Sequence, residues 1–583
     1  PVGLVHRRLA ILDLTETGHQ PMGSPDGRYW IVFNGEVYNH AALREELKGL
    51  GAAFRGRSDT EVVLAAWAAW GERCLERLEG MFAFAVWDWP GHRLFLARDR
   101  FGIKPLYYAE AGPAFGFASE IKPLLAGLSL PVKPRAVAAF DLLVRGRKDH
   151  RDTTFFEGVL QLPPGHLLAV KARAASPRAW YDLGAAVRKR METLPRNPAS
   201  QVRLFREAFE SSVRFHLRSD VATGTCLSGG LDSSALVCQV AGIRGEELRA
   251  LGATPGAGGA FHTYSARSED PALDEGRFIE AVTRATGLPN HSVQPGGPDF
   301  FDALPDLLWH QEEPFPTGSI YAQWRVMQEA SALGVKVLLA GQGADELLGG
   351  YPGMVPAAAA EAIRTLHGAR AFALLGRFGG VGATGARALG LAAPARAWAE
   401  RGRHRFLAPD LLRQAPDPLP PPVIPGLFRA ERLLETATHL PALLHYEDRN
   451  SMAHALEARV PFLDRDLAEL SLALPAEALL DGGFTKQVLR RAAGDSLPPE
   501  VRDRRDKIGF ATADAAWLEA GRGRLGELLD VFARDGSPWI DWPAARREPP
   551  GPRLLGLLLA ELWRRQAVSA GYLEVPGRRL TRG

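Results

Sequence analysis

The stretch Ser228-Gly229-Gly230-Leu231-Asp232-Ser233-Ser234 has the residue types of a phosphate-binding loop. Adjacent glycines let the backbone approach a ligand closely and turn amide N–H groups toward it. The segment before it, ending at Leu227, reads as a strand, and the segment from Leu231 onward predicts a helix. The first turn of that helix would offer free N–H groups and the positive end of the dipole, which together suit phosphate. Ser228, Ser233 and Ser234 add hydroxyl donors. Asp232 would repel a phosphate unless a hard divalent cation lay between them, so the loop implies Mg²⁺. No G-x-x-x-x-G-K-S/T string occurs anywhere in the chain, which argues against kinase or P-loop ATPase chemistry. A turn that merely caps a helix is the plain alternative, and the strand before the loop and the L-D-S-S run after it outweigh that reading.

A second candidate follows Val335–Ala340, an apolar run of the kind that forms a buried strand. It ends in Gly341-Gln342-Gly343-Ala344-Asp345-Glu346. Carboxylates on a glycine-rich turn at the end of a strand sit where parallel sheets hold their ligands, and Asp345 is expected to share the metal with Asp232. Acids also favour helix starts for electrostatic reasons alone, which is the competing explanation. A lysine such as Lys486, in Thr485-Lys486-Gln487-Val488-Leu489-Arg490, would by itself be read as a surface residue.

These loops need elements to hold them. Residues 1–185 read as strand-rich, with Tyr29–Phe33, Met81–Trp87, Arg93–Ala97 and Pro105–Tyr108 as β-branched or aromatic runs. Helices are expected at Ala41–Leu50 and Asp59–Trp70, the second capped at Ser58. Residues 186–200 are polar and suit a linker. Residues 201–570 alternate helical stretches with short apolar strands at Gly224–Leu227, His262–Ala266 and Val335–Ala340, the pattern of a parallel α/β sheet. Helical hairpins are expected over 353–400, a surface loop over Pro416–Pro425, a core-packing helix over Arg553–Gln566, and a tail over 571–583.

With 583 residues, the chain is too long for one core. Its 70 basic and 67 acidic residues leave a net charge of +3, which gives no electrostatic reason for a nucleic-acid or membrane partner. Three cysteines without a C-x-x-C pair suggest neither a disulfide framework nor a zinc site, and a cytoplasmic location is expected. There is no apolar run of about 18 residues, the length a membrane span needs.

The loop at Ser228 resembles that of the ATP pyrophosphatase superfamily. The string from Asp448 to Asp464 then brings the resemblance to glutamine-hydrolysing asparagine synthetases, as do Thr485–Arg490 and Arg504-Arg505-Asp506-Lys507-Ile508-Gly509-Phe510. The amino-terminal half resembles a class II glutamine amidotransferase domain, through Asn34-Gly35-Glu36-Val37-Tyr38-Asn39, Arg98–Tyr108 and Ala118–Lys122. The resemblance implies an N-terminal αββα sandwich of the N-terminal-nucleophile hydrolase type, followed by a parallel-sheet α/β synthetase domain with helical additions. It implies that Asn34 and Gly35 form an oxyanion hole and that Arg8, Glu36 and Asp59 hold glutamine. In the synthetase domain it places ATP and pyrophosphate on Leu227 to Ser234 and Gly341, adenine near Ala266, and Lys486 on the developing charge.

The activity implied is ATP-dependent conversion of aspartate to asparagine through β-aspartyl-AMP, with nitrogen from glutamine or ammonia, ATP and Mg²⁺ as cofactors, and a homodimer left open. One departure concerns the acceptor. The position that is acidic in the resembling enzymes, where the acid is thought to help deprotonate ammonia, holds Gln342, and Glu312 and Glu313 are candidate substitutes. An amide-forming enzyme acting on another carboxylate, of a secondary metabolite or surface glycan, is therefore the second reading, and a catalytically silent homologue the third. The nucleophilic cysteine of such domains has no counterpart. Several tens of residues of the family domain are missing before Pro1, so the chain is expected to be an incomplete product that does not hydrolyse glutamine, a natural ammonia-only enzyme being the alternative.

Overall fold

The computed structural model describes residues 2–171, 176–250, 261–378, 405–417, 419–420, 422–506, 509–569 and 572–573. Lys507, Ile508, residues 379–400 of the expected helical hairpins and most of the expected tail lie outside the described residues.

The amino-terminal part carries β1 (Met22–Gly23), β2 (Tyr29–Val37), β3 (Gly80–Asp88), β4 (Arg93–Arg98) and β5 (Tyr107–Ala111). After them come β6 (Ala114–Ala118), β7 (Val159–Gln161), β8 (His166–Val170) and β9 (Arg178–Ala179). They form two antiparallel sheets, ordered β1-β2-β3-β4-β8-β9 and β6-β5-β7. Because side chains alternate across a strand, β3 feeds two cores. Phe82, Phe84 and Val86 pack against α1 (His40–Gly49) and α2 (Asp59–Trp70), while Ala83 and Ala85 meet Leu106 and Tyr108 of the second sheet. On the far side of that sheet, Tyr107 and Ala109 pack on α3 (Ile121–Gly127). The layers therefore run helix, sheet, sheet, helix. Ser58 caps α2 by accepting from the Thr60 N–H, as its sequence position predicts.

The segment expected to be a linker is instead helical over α4 (Leu183–Thr193), where the Asp182 side chain accepts from the Ala185 N–H. Leu183, Val187, Met191 and Leu194 recur at helical spacing and pack on the synthetase core, and the charged residues between them hide that stripe in the sequence.

The second part is built on a fully parallel sheet of β10 (Thr223–Cys226), β11 (His262–Ala266), β12 (Asn290–Val293), β13 (Val337–Leu339) and β14 (Glu457–Arg459), in the order β12-β11-β10-β13-β14. The helices that matter for the site are α5 (Leu231–Ala250), α6 (Gly297–Gln311), α7 (Ser319–Ala332), α8 (Leu440–Ala453), α9 (Gln487–Ala493) and α10 (Pro552–Ala567). α10 buries Leu554, Leu555, Leu558 and Trp563, as its leucine spacing requires. No helix among the described residues is long and apolar enough to cross a membrane.

The two parts meet through buried charge. Just past α6, the Glu312 carboxylate accepts from the N–H groups of Ile121 and Lys122 and pairs with the Lys122 ammonium at 3.0 Å and with Arg449 of α8 at 3.1 Å. Its carbonyl accepts from Trp563 of α10 at 2.7 Å. Glu313 accepts from the Phe155 N–H and pairs with Lys148 at 3.0 Å, and Lys104 pairs with Asp448 at 3.3 Å. Removing one charge from such a group strands the others in a dry interface, at a cost of about 3–5 kcal/mol. Glu312→Gln is therefore expected to lower resistance to urea by roughly that amount in an equilibrium unfolding experiment. Unchanged resistance would contradict the role given to this acid.

Candidate active site

One cleft opens at the carboxyl ends of β10, β11 and β13, the place where a parallel sheet presents loop backbone and helix starts. Leu227, Ser228, Gly230, Leu231, Asp232 and Ser233 line it from the first loop, Ala266 from the end of β11, and Gly341, Gln342 and Asp345 from the second loop. Gly229 and Ser234 do not line it: Gly229 sits at φ +79° against Glu275 and Phe278, and Ser234 is fully buried.

The first loop is held in shape before any ligand arrives. The Ser233 hydroxyl lies 3.0 Å from that of Ser228 and accepts from the Ser228 N–H, and the Gly230 N–H donates to the Ser228 hydroxyl. The Ser265 hydroxyl fixes the Leu227 carbonyl at 2.6 Å, and Arg504 fixes that of Gly229 at 3.2 Å. α5 then begins at Leu231, with Asp232 in its first turn.

Asp232, Asp345 and Lys486 come from three distant segments and meet at one point. The Lys486 ammonium pairs with Asp232 and lies 2.6 Å from Asp345. Lys486 is a left-handed residue at φ +55° immediately before α9. It is buried, which works against its charge, yet the two carboxylates outweigh burial and hold it above the ordinary lysine value. Two carboxylates that converge on one cation are the donor set a hard divalent ion takes, so these residues fit such an ion. Arg490, Arg504 and Arg505 line the same cleft. Arg504 is paired with Glu275 at 2.5 Å and with Asp506 at 3.1 Å.

Gln342 does not stand alone. Gln323 of α7 and Glu447 of α8 share the cleft with it, and both glutamine side chains lie near the Glu447 carboxyl. Glu447 is 3% exposed, and its Oε2 makes no close hydrogen bond. Burial pushes its pKa up to about 7, against the pull of the two amides. Sequence reading missed this residue. It directly precedes the Asp448–Asp464 string, inside the polar run Glu447-Asp448-Arg449-Asn450-Ser451, which looks like a solvated face but is entirely buried.

Glu312 was the acid expected to serve here, and the structure corrects that. It does not line the cleft. Burial opposes its charge, but Lys122 and Arg449 outweigh burial and hold it down at about 2, so it is a poor base as well as a distant one. Glu313 is likewise committed to Lys148 and the Phe155 N–H.

In the amino-terminal part, Asn34, Gly35 and Glu36 lie on β2 opposite Ala83, Phe82 and Met81. Gly35, at φ +150°, packs so closely that a Cβ would run into the Met81 carbonyl. Asp59 accepts from the Val37 and Thr60 N–H groups. Glu36 faces away from open solvent and pairs with Arg459 of β14 at 3.3 Å, while Arg8 donates to the carbonyls of Leu12 and Asp13. Cys74 is buried at the end of this layer and its thiol is pushed up to about 12 by burial.

The architecture defines an α/β nucleotide-site domain behind an αββα amidotransferase-like sandwich, and comparison with known proteins agrees. A model of the asparagine synthase family matches residues 204–570, and a model of the glutamine amidotransferase domain matches residues 1–181. Among curated relatives, glutamine-hydrolyzing asparagine synthetase 1 of Bacillus subtilis (strain 168) is 30% identical over 538 residues, 89% of this chain and 81% of the relative. Asparagine synthetase 3 of the same organism is 30% identical over 549 residues, 90% of this chain and 84% of the relative. The chain belongs to the asparagine synthase family, and is an ATP-using carbon–nitrogen ligase of the glutamine-dependent class.

A Cβ on Gly350 would run into both the Asp345 carboxylate and the Lys486 side chain. Gly350→Ala is accordingly expected to spread these two groups and to slow ATP–pyrophosphate exchange at least about 100-fold with little loss of secondary structure by circular dichroism. An exchange rate equal to that of the parent would contradict this packing.

Proposed function

We propose that the protein makes asparagine from aspartate through β-aspartyl-AMP. The observation that carries this reading is the meeting of Asp232, Asp345 and Lys486 beside the Ser228–Ser233 loop, in one cleft. A β-carboxylate oxygen of aspartate would attack the α-phosphorus of ATP, and pyrophosphate would leave. Lys486 would offset the charge that grows on the phosphates, and the Ser228 and Ser233 hydroxyls with the Gly230 N–H would hold the leaving group. Ala266 would read adenine through its backbone. Asp232 and Asp345 would hold Mg²⁺, which when bound neutralises and orients the phosphates. The amine then attacks the acyl carbon, and AMP leaves.

Arg8, Glu36 and Asp59 would hold glutamine beside the Asn34–Gly35 oxyanion hole, but this chain would take its nitrogen as free ammonia. None of the three cysteines in the chain is prepared for glutamine hydrolysis. Burial raises the thiols of Cys74 and Cys238 to about 12 and that of Cys226 further still.

A second reading, in which the acceptor is a different carboxylate, is favoured by Gln342 alone. Aspartate-dependent ATP–pyrophosphate exchange separates the two. It is expected in the wild type and expected to fall at least about 100-fold in Asp232→Ala. Exchange driven by other carboxylates and not by aspartate would establish the second reading. The metal assignment has its own test. In Lys486→Met the two carboxylates lose their ammonium partner, so Mg²⁺ is expected to raise Tm by more than it does in the wild type. An equal or smaller Mg²⁺ effect would argue against a shared ion.

A further inference from the structure

Forming an amide from an acyl-adenylate requires the attacking nitrogen to shed a proton, and Gln342 has no basic group to take it. Five acids line the cleft: Asp232, Glu275, Asp345, Glu447 and Asp506. Asp232 and Asp345 are paired with Lys486, and Glu275 and Asp506 with Arg504. Among the described residues, Glu447 is the one cleft-lining acid without an ion pair. Gln342 and Gln323 lie beside it in the cleft, and Gln323 is itself fixed by a 2.9 Å hydrogen bond from Asn450. Its two amide neighbours are neutral and leave its charge unspent, and its Oε2 is buried without a close partner. The nearby charged or titratable groups are Asp448 and the Cys226 thiol. Asp448 is engaged by Lys104, and burial keeps the thiol protonated.

We propose that Glu447 is the general base of the amidation step, taking a proton from the amine as it attacks the acyl-adenylate, with Gln342 and Gln323 as its positioning residues. The nitrogen lone pair forms the C–N bond at the acyl carbon. One N–H proton passes to a Glu447 oxygen, and the bond from the acyl carbon to the AMP oxygen breaks with its electron pair remaining on AMP. The carboxyl and two carboxamides can bind ammonia, or a small primary amine, through N–H donation to Glu447. The cleft thus carries a nucleophile subsite distinct from its phosphate subsite.

This inference rests on the adenylation proposed above, and the two are separable by experiment. ATP–pyrophosphate exchange reads adenylation, and amide formed with ammonium chloride reads the second step. Glu447→Gln in the full chain is expected to keep exchange within about threefold of the wild type. Amide formation is expected to drop about 100-fold or more. In the wild type, amide formation at a fixed concentration of free ammonia should rise with pH as Glu447 loses its proton near the neutral value given above. That limb should vanish in Glu447→Gln. Hydroxylamine, a nucleophile less dependent on a base, should recover part of the lost rate. Wild-type-like amide formation with the same pH limb would overturn the proposal, and so would exchange that falls as far as amide formation does. Absence of aspartate-driven exchange in the wild type sinks the aspartate reading only; the ratio of amide to exchange is then read with the carboxylate that does drive it.

Discussion

The structure depends on a buried lysine held between two carboxylates. Lys486 is a left-handed residue whose ammonium reaches Asp232 at the start of α5 and Asp345 after β13, and that ammonium would be costly to bury without them. The requirement propagates outward. It fixes how close the two strand-end loops stand, leaves no room for a Cβ at 350 while Asp345 and Lys486 keep their places, and sets α9 against the sheet. Positive and negative groups are then paired at the point where phosphate charge must be managed. The same trio that stabilises the empty cleft is chemically suited to exchange the ammonium for a metal ion and redirect it to a phosphate.

Charge plays a different part between the two halves. Glu312, Glu313, Asp448 and Arg449 are spent on Lys122, Lys148, Lys104 and backbone groups of the amino-terminal sandwich. Arg459 of β14 reaches Glu36 of β2, so a strand of the synthetase sheet and the strand bearing Asn34 and Gly35 share one buried ion pair. The polar run that looks like a solvated face is therefore largely a fastening between domains, and within this part of α8 it is Glu447 that lines the cleft.

What sequence could and could not show follows from that division. The Ser228 loop, the strand Val337–Leu339 and the helix Asp59–Trp70 were legible because each has a local signature: paired glycines, an apolar run, a serine cap. β14 was not, because a three-residue strand of Glu457, Ala458 and Arg459 carries no β-forming pattern and exists only through pairing with β13. The helix Leu183–Thr193 was hidden by its charged residues, although its four apolar positions are helically spaced. Of the site, Asp232, Asp345 and Lys486 were named from motifs, and the structure brings them together. Glu312 was misassigned and Glu447 overlooked for one reason. A glutamate's work is set by what it touches after folding, and the two lie 135 residues apart, as their numbers show, with no local difference between them.

Adenylation is the central claim, and the fate of one oxygen atom tests it most directly. With aspartate labelled with ¹⁸O in its β-carboxylate, together with ATP, Mg²⁺ and ammonium, the account predicts one ¹⁸O atom in the phosphate of AMP by mass spectrometry. Loss of that oxygen to water, pyrophosphate or inorganic phosphate, with none in AMP, would contradict it.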